Sequence, residues 1–224
     1  LVETIAIFIN NLAAPANTKV FSLTHRLHLT QPQAYIFDPE LPYWIIYRNQ
    51  LFDSVCRKLD FDVFEVFRDR QLTNKLLSSS GELRVLKSRN LSDDGKEILD
   101  IPGYDSYISY AAAKPLSVFQ YLDAPNVYLT PNMTYKPRMM KKPPHCVVNG
   151  SLAILIPKGG IVPTEKQLAY FSSEEYRAFY QIARNFQTRS LNVDACSVFF
   201  YGLLRDEAKP APEKFDASVQ LSFL

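Results

Sequence analysis

The residue types that could do chemistry in this sequence are cations gathered in stretches without acids. No Asp or Glu lies between Asp123 and Glu165. The cations of this stretch are Lys136, Arg138, Lys141, Lys142 and Lys158. Lysine and arginine neutralise nucleic-acid phosphates, and arginine also makes paired hydrogen bonds to base edges. The stretch predicts base or phosphate contacts from the first four of these cations, and a solvated surface loop is the alternative interpretation.

A second acid-free stretch runs from Tyr176 to Val193 and is rich in arginine and amide side chains. Asparagine can pair with an adenine edge, and an aromatic ring with a polar tip suits a wet, charged interface. Six tyrosines lie within or just before the first stretch: Tyr104, Tyr107, Tyr110, Tyr121, Tyr128 and Tyr135. We take as candidates for base reading Asn132, Tyr135 and Asn185, and as candidates for base or phosphate contacts Arg184 and Arg189.

A smaller basic cluster precedes both stretches. It consists of Arg68, Arg70, Lys87 and Arg89. We interpret these residues as phosphate clamps rather than base readers, because backbone contacts outnumber base contacts at such interfaces. Ordinary surface ion pairs are the alternative interpretation.

Catalytic and metal-binding patterns are weak in the sequence. His25 and His28 lie three residues apart and His145 adjoins Cys146, a spacing that fits no standard zinc site, so we expect structural roles. The Glu-x-Lys pattern at Glu207 matches half of a restriction-nuclease site, which needs a further acid to hold Mg²⁺. The sequence therefore predicts no resident metal and no complete catalytic site, with a Mg²⁺-dependent nuclease as the weakest alternative.

The composition sets broader bounds. With 224 residues, 47% hydrophobic and 13% aromatic, the chain can bury a substantial core, and its formal net charge of +2 says little about partners. The three cysteines, Cys56, Cys146 and Cys196, form no Cys-x-x-Cys pair and favour a reducing cytoplasm. No apolar run approaches the roughly 20 residues that span a bilayer, so we expect no membrane segment.

Hydrophobic periodicity predicts the elements that must position these residues. Helices are expected at Tyr43–Leu59, Asp69–Leu77, Glu165–Phe171 and Glu174–Phe186. Strands are expected at Val2–Ile9, Val20–Leu29, Leu83–Ser88, Ile98–Ile101, Val127–Thr130, Leu152–Ile156 and Ser197–Leu204. The proline-punctuated segment Pro131–Pro144 is predicted to be a loop that presents side chains.

Four segments in this order resemble the C-terminal target-recognition region of adenine-specific DNA methyltransferases from type II and IIS restriction-modification systems. The segments are RVLKSRNLSDDG (84–95), NVYLTPNMTYKPRM (126–139), SLAILIPK (151–158) and LAYFSSEEYRAFYQIARNF (168–186). A looser likeness to type I specificity subunits includes SLNVDACSVFFYGLL (190–204). The resemblance covers roughly residues 41–204, and its motifs are diffuse.

The resemblance implies an α/β (α+β) recognition domain with a mixed, mainly antiparallel sheet and flanking helices. Residues 1–80 would end a preceding domain and include a helical connector from Pro42 to Leu77. Residues 81–205 would form the recognition domain, and residues 206–224 a tail.

The implied function is sequence-specific docking on double-stranded DNA while a partner domain methylates one extruded adenine. The family's glycine-rich turn for S-adenosylmethionine and its Asp/Asn-Pro-Pro-Tyr loop do not occur here; KPPHC (142–146) has only the two prolines. The resemblance therefore places catalysis and S-adenosylmethionine on a separate catalytic domain or subunit. The alternative is a protein-interaction module that docks a partner through the Trp44 helix and the aromatic surface, and Met133, Met139 and Met140 are residue types that fit such an interface.

Overall fold

The computed structural model describes residues 16–189 and 191–205. The strands of this part of the chain are β1 (Asn17–Ser22), β2 (Leu27–Pro32), β3 (Leu59–Asp60), β4 (Phe64–Phe67), β5 (Leu83–Leu86), β6 (Ser106–Ile108), β7 (Tyr128–Pro131), β8 (Met140–Lys141), β9 (Cys146–Val148), β10 (Leu152–Pro157) and β11 (Leu203–Leu204). The α-helices are α1 (Gln33–Ile36), α2 (Gln50–Cys56), α3 (Tyr110–Ala113), α4 (Glu165–Tyr170) and α5 (Glu174–Ala183). Short 3₁₀ turns lie at Asn74–Leu76, Ser88–Asn90, Ser117–Tyr121, Lys158–Gly160 and Ser197–Phe200.

The centre of the fold is a four-stranded antiparallel sheet in the order β4-β10-β7-β8. A three-stranded sheet in the order β6-β5-β9 contains the parallel pair β5–β9, and β3 pairs with β11. The hairpin of β1 and β2 precedes them. The fold is α+β with mainly antiparallel pairing, as predicted.

Strand β10 is buried on both faces, which explains its continuous run of apolar residues. Ala153 and Leu155 point into a core formed with Phe52, Phe179 and Phe200. Leu152 and Ile154 point into a second core that includes Val85 and Val147 of the smaller mixed sheet. Because successive side chains of a strand face opposite ways, one strand joins both cores.

Elements on both sides of residue 80 share this sheet and core. Strand β4 pairs with β10, and Phe52 of α2 stacks on Phe179 of α5 with ring centroids 5.1 Å apart. The predicted boundary at residue 80 thus runs through a shared sheet.

The prediction of one strand over Val20–Leu29 is wrong in its topology. The segment forms parts of β1 and β2, joined by a turn at residues 23–26 in which Arg26 has φ of 48°. Val20 and Leu29 are paired across the hairpin and both are buried. The apolar alternation continues on both sides of the turn, so the pattern alone conceals the reversal.

The prediction of a helix over Tyr43–Leu59, and with it a helical connector, is also wrong. Only α2 forms, because the Asn49 side chain accepts a hydrogen bond from the Phe52 amide at 3.0 Å and starts the helix there. Upstream of the cap, Ile45 is buried while Trp44 is 48% exposed. The aromatic residues at helical spacing are therefore placed by tertiary packing in an irregular segment.

The second predicted helix, Asp69–Leu77, is reduced to one 3₁₀ turn at Asn74–Leu76. The Asp69 carboxylate accepts hydrogen bonds from the amides of Gln71 and Leu72 and so favours a turn over a helix. The predicted strand Ile98–Ile101 forms only an isolated bridge to Leu91. The predicted strand Ser197–Leu204 divides into a 3₁₀ turn and β11.

The remaining predictions of regular structure in the described part of the chain are confirmed within a few residues. They correspond to β5, β7, β10, α4 and α5. Helices α4 and α5 begin at Thr164 and Ser173, whose hydroxyls cap the amides of Gln167 and Tyr176. The predicted loop Pro131–Pro144 is irregular except for β8. The strand predicted at Val2–Ile9 lies outside the described residues.

None of the helices in residues 16–189 and 191–205 is long and apolar enough to cross a membrane.

Candidate nucleic-acid interface

Four segments of the chain meet at one edge of the central sheet. Because β4 and β7 both run antiparallel to β10, both strands end where β10 begins. Strand β5 ends at the same place, since the Asn149 amide donates to the Leu86 carbonyl at 3.1 Å. We call residues 68–70, 87–89, 132–138 and the described part of the fourth segment, 188–189 and 191–194, the loop edge.

Hydrogen bonds between these segments fix the loop edge. The Thr134 amide donates to the Thr188 carbonyl at 2.9 Å, and the Val193 amide donates to the Asn132 side chain at 2.9 Å. The Ser88 amide donates to the Ser151 hydroxyl at 2.9 Å, just before β10. Three of the four segments are thus attached to one another or to the sheet rather than left as independent loops.

Arg138 forms the link between two of these segments and is only 7% exposed. Its guanidinium donates to the carbonyls of Lys136, Ser88 and Leu91 at 2.9 to 3.2 Å. Burial lowers the pKa of Arg138. The sequence suggested this residue as a DNA contact, but its terminal nitrogens are occupied by the protein's own backbone.

Four further candidates from the sequence have the same internal role. Asn132 bonds to the Gly150 carbonyl and to Asn192, at 2.9 and 2.7 Å. Arg184 donates to the carbonyls of Leu191 and Asn192. Asn185 bonds the backbone of Trp44 and Ile46, and Lys142 donates to the carbonyls of Leu122 and Pro143. An acid-free stretch does not distinguish an exposed cation from one that crosslinks loops, which is why sequence reasoning grouped them.

Lys141 and Lys142 lie at the opposite end of the sheet. Lys141 pairs with Tyr128 at the start of β7, whereas the loop edge follows the end of that strand. Lys141 is exposed. The structure therefore separates these two lysines from the other candidates.

The loop edge carries the remaining candidates. Exposed cations there are Arg70, Arg89, Lys136 and Arg189; Arg68 and Lys87 are half-buried. Lys136 pairs with Asp93 at 2.5 Å, and its hydrogen bond holds the pKa of Asp93 below the usual range. Within residues 16–189 and 191–205, none of the four arginines Arg68, Arg70, Arg89 and Arg189 pairs with a carboxylate. The edge therefore presents uncompensated positive charge.

Two tyrosines, Tyr135 of the loop edge and Tyr104 beside it, have cations over their rings. The Arg189 guanidinium lies 5.2 Å from the ring centroid of Tyr135, which is 45% exposed. The Arg89 guanidinium lies 4.8 Å from the ring of Tyr104, and the Lys87 amine lies 4.0 Å from the same ring. The sequence analysis noted Tyr104 among six tyrosines but did not select it as a candidate site residue. Its contact with Arg89 joins residues 15 positions apart and has no local signature.

An open pocket of about 270 Å³ adjoins this surface. Arg68 and Arg70 line it together with Asp194 and Ala195. Hydrogen bonds from the Ser197 amide and hydroxyl hold the Asp194 carboxylate. The pocket thus brings the cluster after β4 next to the segment that ends at residue 194.

The histidines contact neighbouring side chains. The ring of His28 stacks on Phe21 and the ring of His25 lies tilted against Phe186, each with centroids 4.2 Å apart. His145 contacts Asp123 at 3.2 Å. No group of three or more possible metal ligands occurs among the described residues, and the Glu-x-Lys pattern at Glu207 lies outside them.

Comparison with known proteins adds no assignment: no protein-family model matches the chain, and no curated protein matches it significantly.

Proposed function

We propose that this chain reads DNA sequence on behalf of an adenine-specific DNA methyltransferase of a restriction-modification system. The observation that carries the DNA-binding part is the loop edge, where four separate segments gather unpaired arginines and exposed tyrosine at one end of a sheet. Duplex DNA is a dense array of negative charge, and cations without carboxylate partners are available to neutralise it.

The fixed geometry of the loop edge supports a reading role beyond general attraction. Backbone hydrogen bonds and the buried Arg138 hold three of the four segments together, so the side chains at 87–89, 132–138 and 188–189 keep fixed separations. A surface that recognises a series of base pairs needs such separations, since phosphate contacts set the register in which bases are read.

The methyltransferase part of the proposal rests on the resemblance of the four sequence segments. In that scheme the catalytic domain or subunit binds S-adenosylmethionine and extrudes the adenine, while this chain positions it on the duplex. The three cysteines are free, as expected in a reducing cytoplasm, where we place the protein.

The test is binding of the chain to a mixed-sequence duplex by fluorescence anisotropy across a salt series. We expect steep salt dependence, and Arg70→Ala or Lys136→Ala should each reduce the slope by about one. Lys166→Ala, which removes an exposed cation from α4, is the matched control and should leave the slope unchanged. Failure to bind DNA at low salt would refute the proposal.

A parallel titration with S-adenosylmethionine tests whether cofactor binding lies on a separate catalytic domain or subunit. We expect no binding by this chain, because the glycine-rich turn that the family uses does not occur in its sequence. Tight binding of S-adenosylmethionine would place a catalytic site within the chain and contradict the proposal that catalysis lies on another domain or subunit.

A protein-docking role is the second candidate, and a different surface favours it. Phe21 and Leu23 at the tip of the first hairpin are 67% and 96% exposed, and Trp44 is 48% exposed. Large exposed apolar side chains are enriched at protein interfaces. If the chain binds no DNA, Leu23→Ser and Trp44→Ser variants in a pull-down with a candidate catalytic subunit would test this role.

A further inference from the structure

We propose that two arginines stacked on tyrosine, Arg89 on Tyr104 and Arg189 on Tyr135, each read a guanine in the major groove. This inference rests on the proposed DNA-binding function and deepens it. The sequence alone assigned Arg89 to the phosphate clamps. The structure instead groups it with Arg189, since both are exposed, lie over a ring and pair with no carboxylate of the described residues.

The two stacked pairs flank the segment of residues 132–138, one on each side. At the start of that segment, the Thr134 amide donates to the carbonyl of Thr188, the neighbour of Arg189. At its end, Arg138 donates to the carbonyl of Ser88, the neighbour of Arg89, at 3.1 Å. The same short segment therefore sets the separation between the two arginines.

Hydrogen bonds hold described residues next to each arginine. Asn90, fully buried, bonds the Lys87 amide at 2.9 Å and the Asp105 carboxylate at 2.7 Å, which fixes the turn that carries Arg89. Thr188 is 1% exposed, and the Leu191 amide closes a turn on the Gln187 carbonyl at 3.1 Å around Arg189. Rigid support lowers the entropy cost of presenting a long side chain.

A stacked guanidinium suits base reading better than phosphate neutralisation. Each guanidinium carbon lies over a ring, 4.8 Å from the centroid of Tyr104 for Arg89 and 5.2 Å from that of Tyr135 for Arg189, and this cation–π contact favours the rotamers that keep the cation there. The guanidinium nitrogens form a planar fork of donors. That fork matches the O6 and N7 acceptors of guanine, the commonest specific contact in the major groove. Arg70 is exposed but stacks on no ring among the described residues, and a phosphate needs no such orientation.

The experiment selects preferred sites from a randomised duplex library and then measures affinities for the selected site and its single-base changes. The chains compared are wild type, Arg89→Lys, Arg189→Lys, Arg70→Ala and the control Lys166→Ala. Lysine keeps the charge but not the fork, so each lysine variant should lose roughly tenfold to a hundredfold of discrimination at one guanine and keep its salt slope. Arg70→Ala should weaken all duplexes alike.

The positioning role of the rings has its own test. Tyr135→Phe keeps the ring and should keep the guanine preference assigned to Arg189, whereas Tyr135→Leu should lose it. Thermal melting of each variant checks that the fold persists. An unchanged preference in Tyr135→Leu would overturn the role of stacking.

The outcomes separate this inference from the proposed function. Lysine variants that retain every wild-type base preference, or a wild type that binds DNA with no preference at all, would overturn the assignment of guanine readers while leaving DNA binding intact. A wild type that binds no DNA would instead overturn the proposed function itself.

Discussion

The two ends of the central sheet use the same residue types in opposite ways. Where β4 begins and β10 ends, Lys158 pairs with Asp62 at 2.6 Å, and Arg205 pairs with Asp60 nearby at 2.9 Å. At the loop edge, Arg70, Arg89 and Arg189 have no such partners among the described residues. The formal net charge of +2 therefore conceals a local surface on which cations outnumber acids. Pairing rather than composition decides which cations can meet an anionic partner.

A second contrast lies within the loop edge itself, between a buried and an exposed arginine. We expect Arg138→Ala to have the largest effect on stability, because three backbone carbonyls lose their donor at a buried position. The free energy of unfolding should fall by about 2–4 kcal/mol. Urea denaturation measures it, with Lys166→Ala as a control that should change stability by less than about 0.5 kcal/mol. A stable Arg138→Ala chain that no longer binds DNA would move Arg138 into the contact surface.

Gly150→Ala should displace the part of the loop edge that contains Asp69. A Cβ at this position would lie 2.7 Å from the Asp69 carbonyl oxygen, so the segment that carries Arg68 and Arg70 must shift. We expect a loss of about 1–3 kcal/mol in unfolding free energy, together with weaker DNA binding. Gly103→Ala is a comparison without a clash, since a Cβ there meets no atom within 4 Å, although its φ of 73° adds backbone strain. Equal DNA affinity for Gly150→Ala and wild type would show that the packing under this segment does not set its position.

Asp93→Asn should leave Lys136 without its carboxylate partner and so make it available to DNA. The substitution removes the carboxylate that pairs with Lys136 and leaves the lysine free for a phosphate. Because an exposed pair of this kind is worth at most about 1 kcal/mol, we expect DNA affinity to rise about threefold to fivefold at low salt. Anisotropy titrations at two salt concentrations measure the change. Weaker binding by Asp93→Asn would mean that Asp93 orients Lys136 rather than competes with DNA.

The paired side of the molecule should show a small acid sensitivity. The hydrogen bond from Lys58 lowers the pKa of Glu175 below its ordinary 4.5, so its contribution to stability is present above that pH and is lost as the pH falls through the folded-state value. Both side chains are more than a third exposed, and we expect less than about 1 kcal/mol after solvent screening. Urea denaturation of Glu175→Gln between pH 3 and pH 6 should show a flatter acid limb than wild type, whereas parallel curves would contradict the effect.

The elements that the sequence predicted well are those whose pattern is local. Strand β10 is apolar throughout because both of its faces are buried, and α5 begins at a serine cap that is visible in the sequence. The predicted helix over Tyr43–Leu59 failed because Asn49 starts the helix late and distant residues hold what precedes it: the Tyr43 hydroxyl donates to the Ala183 carbonyl at 2.9 Å. Propensity has little weight where tertiary contacts of this kind exist.

The same contrast between local patterns and tertiary contacts applies to the candidate site. Charge patterning selected segments that lie close together in the fold, since residues from 68–70, 87–89, 132–138 and 188–189 meet at one edge. It could not separate Arg138 and Arg184, which crosslink loops, from Arg189, which is exposed. That distinction depends on which carbonyls lie within reach, and no run of neighbouring residues records it.

The bond network of Arg138 has a practical consequence for altering this surface. Its guanidinium donates to the carbonyls of Ser88, Leu91 and Lys136. The turn that carries Arg89 is therefore linked through Arg138 to the segment that carries Tyr135. If either segment were grafted alone onto another scaffold, the hydrogen bonds of Arg138 to Ser88 and Leu91 would be lost. A graft of this surface therefore has to carry both segments together, whereas exposed side chains that make no such bonds can be exchanged one at a time.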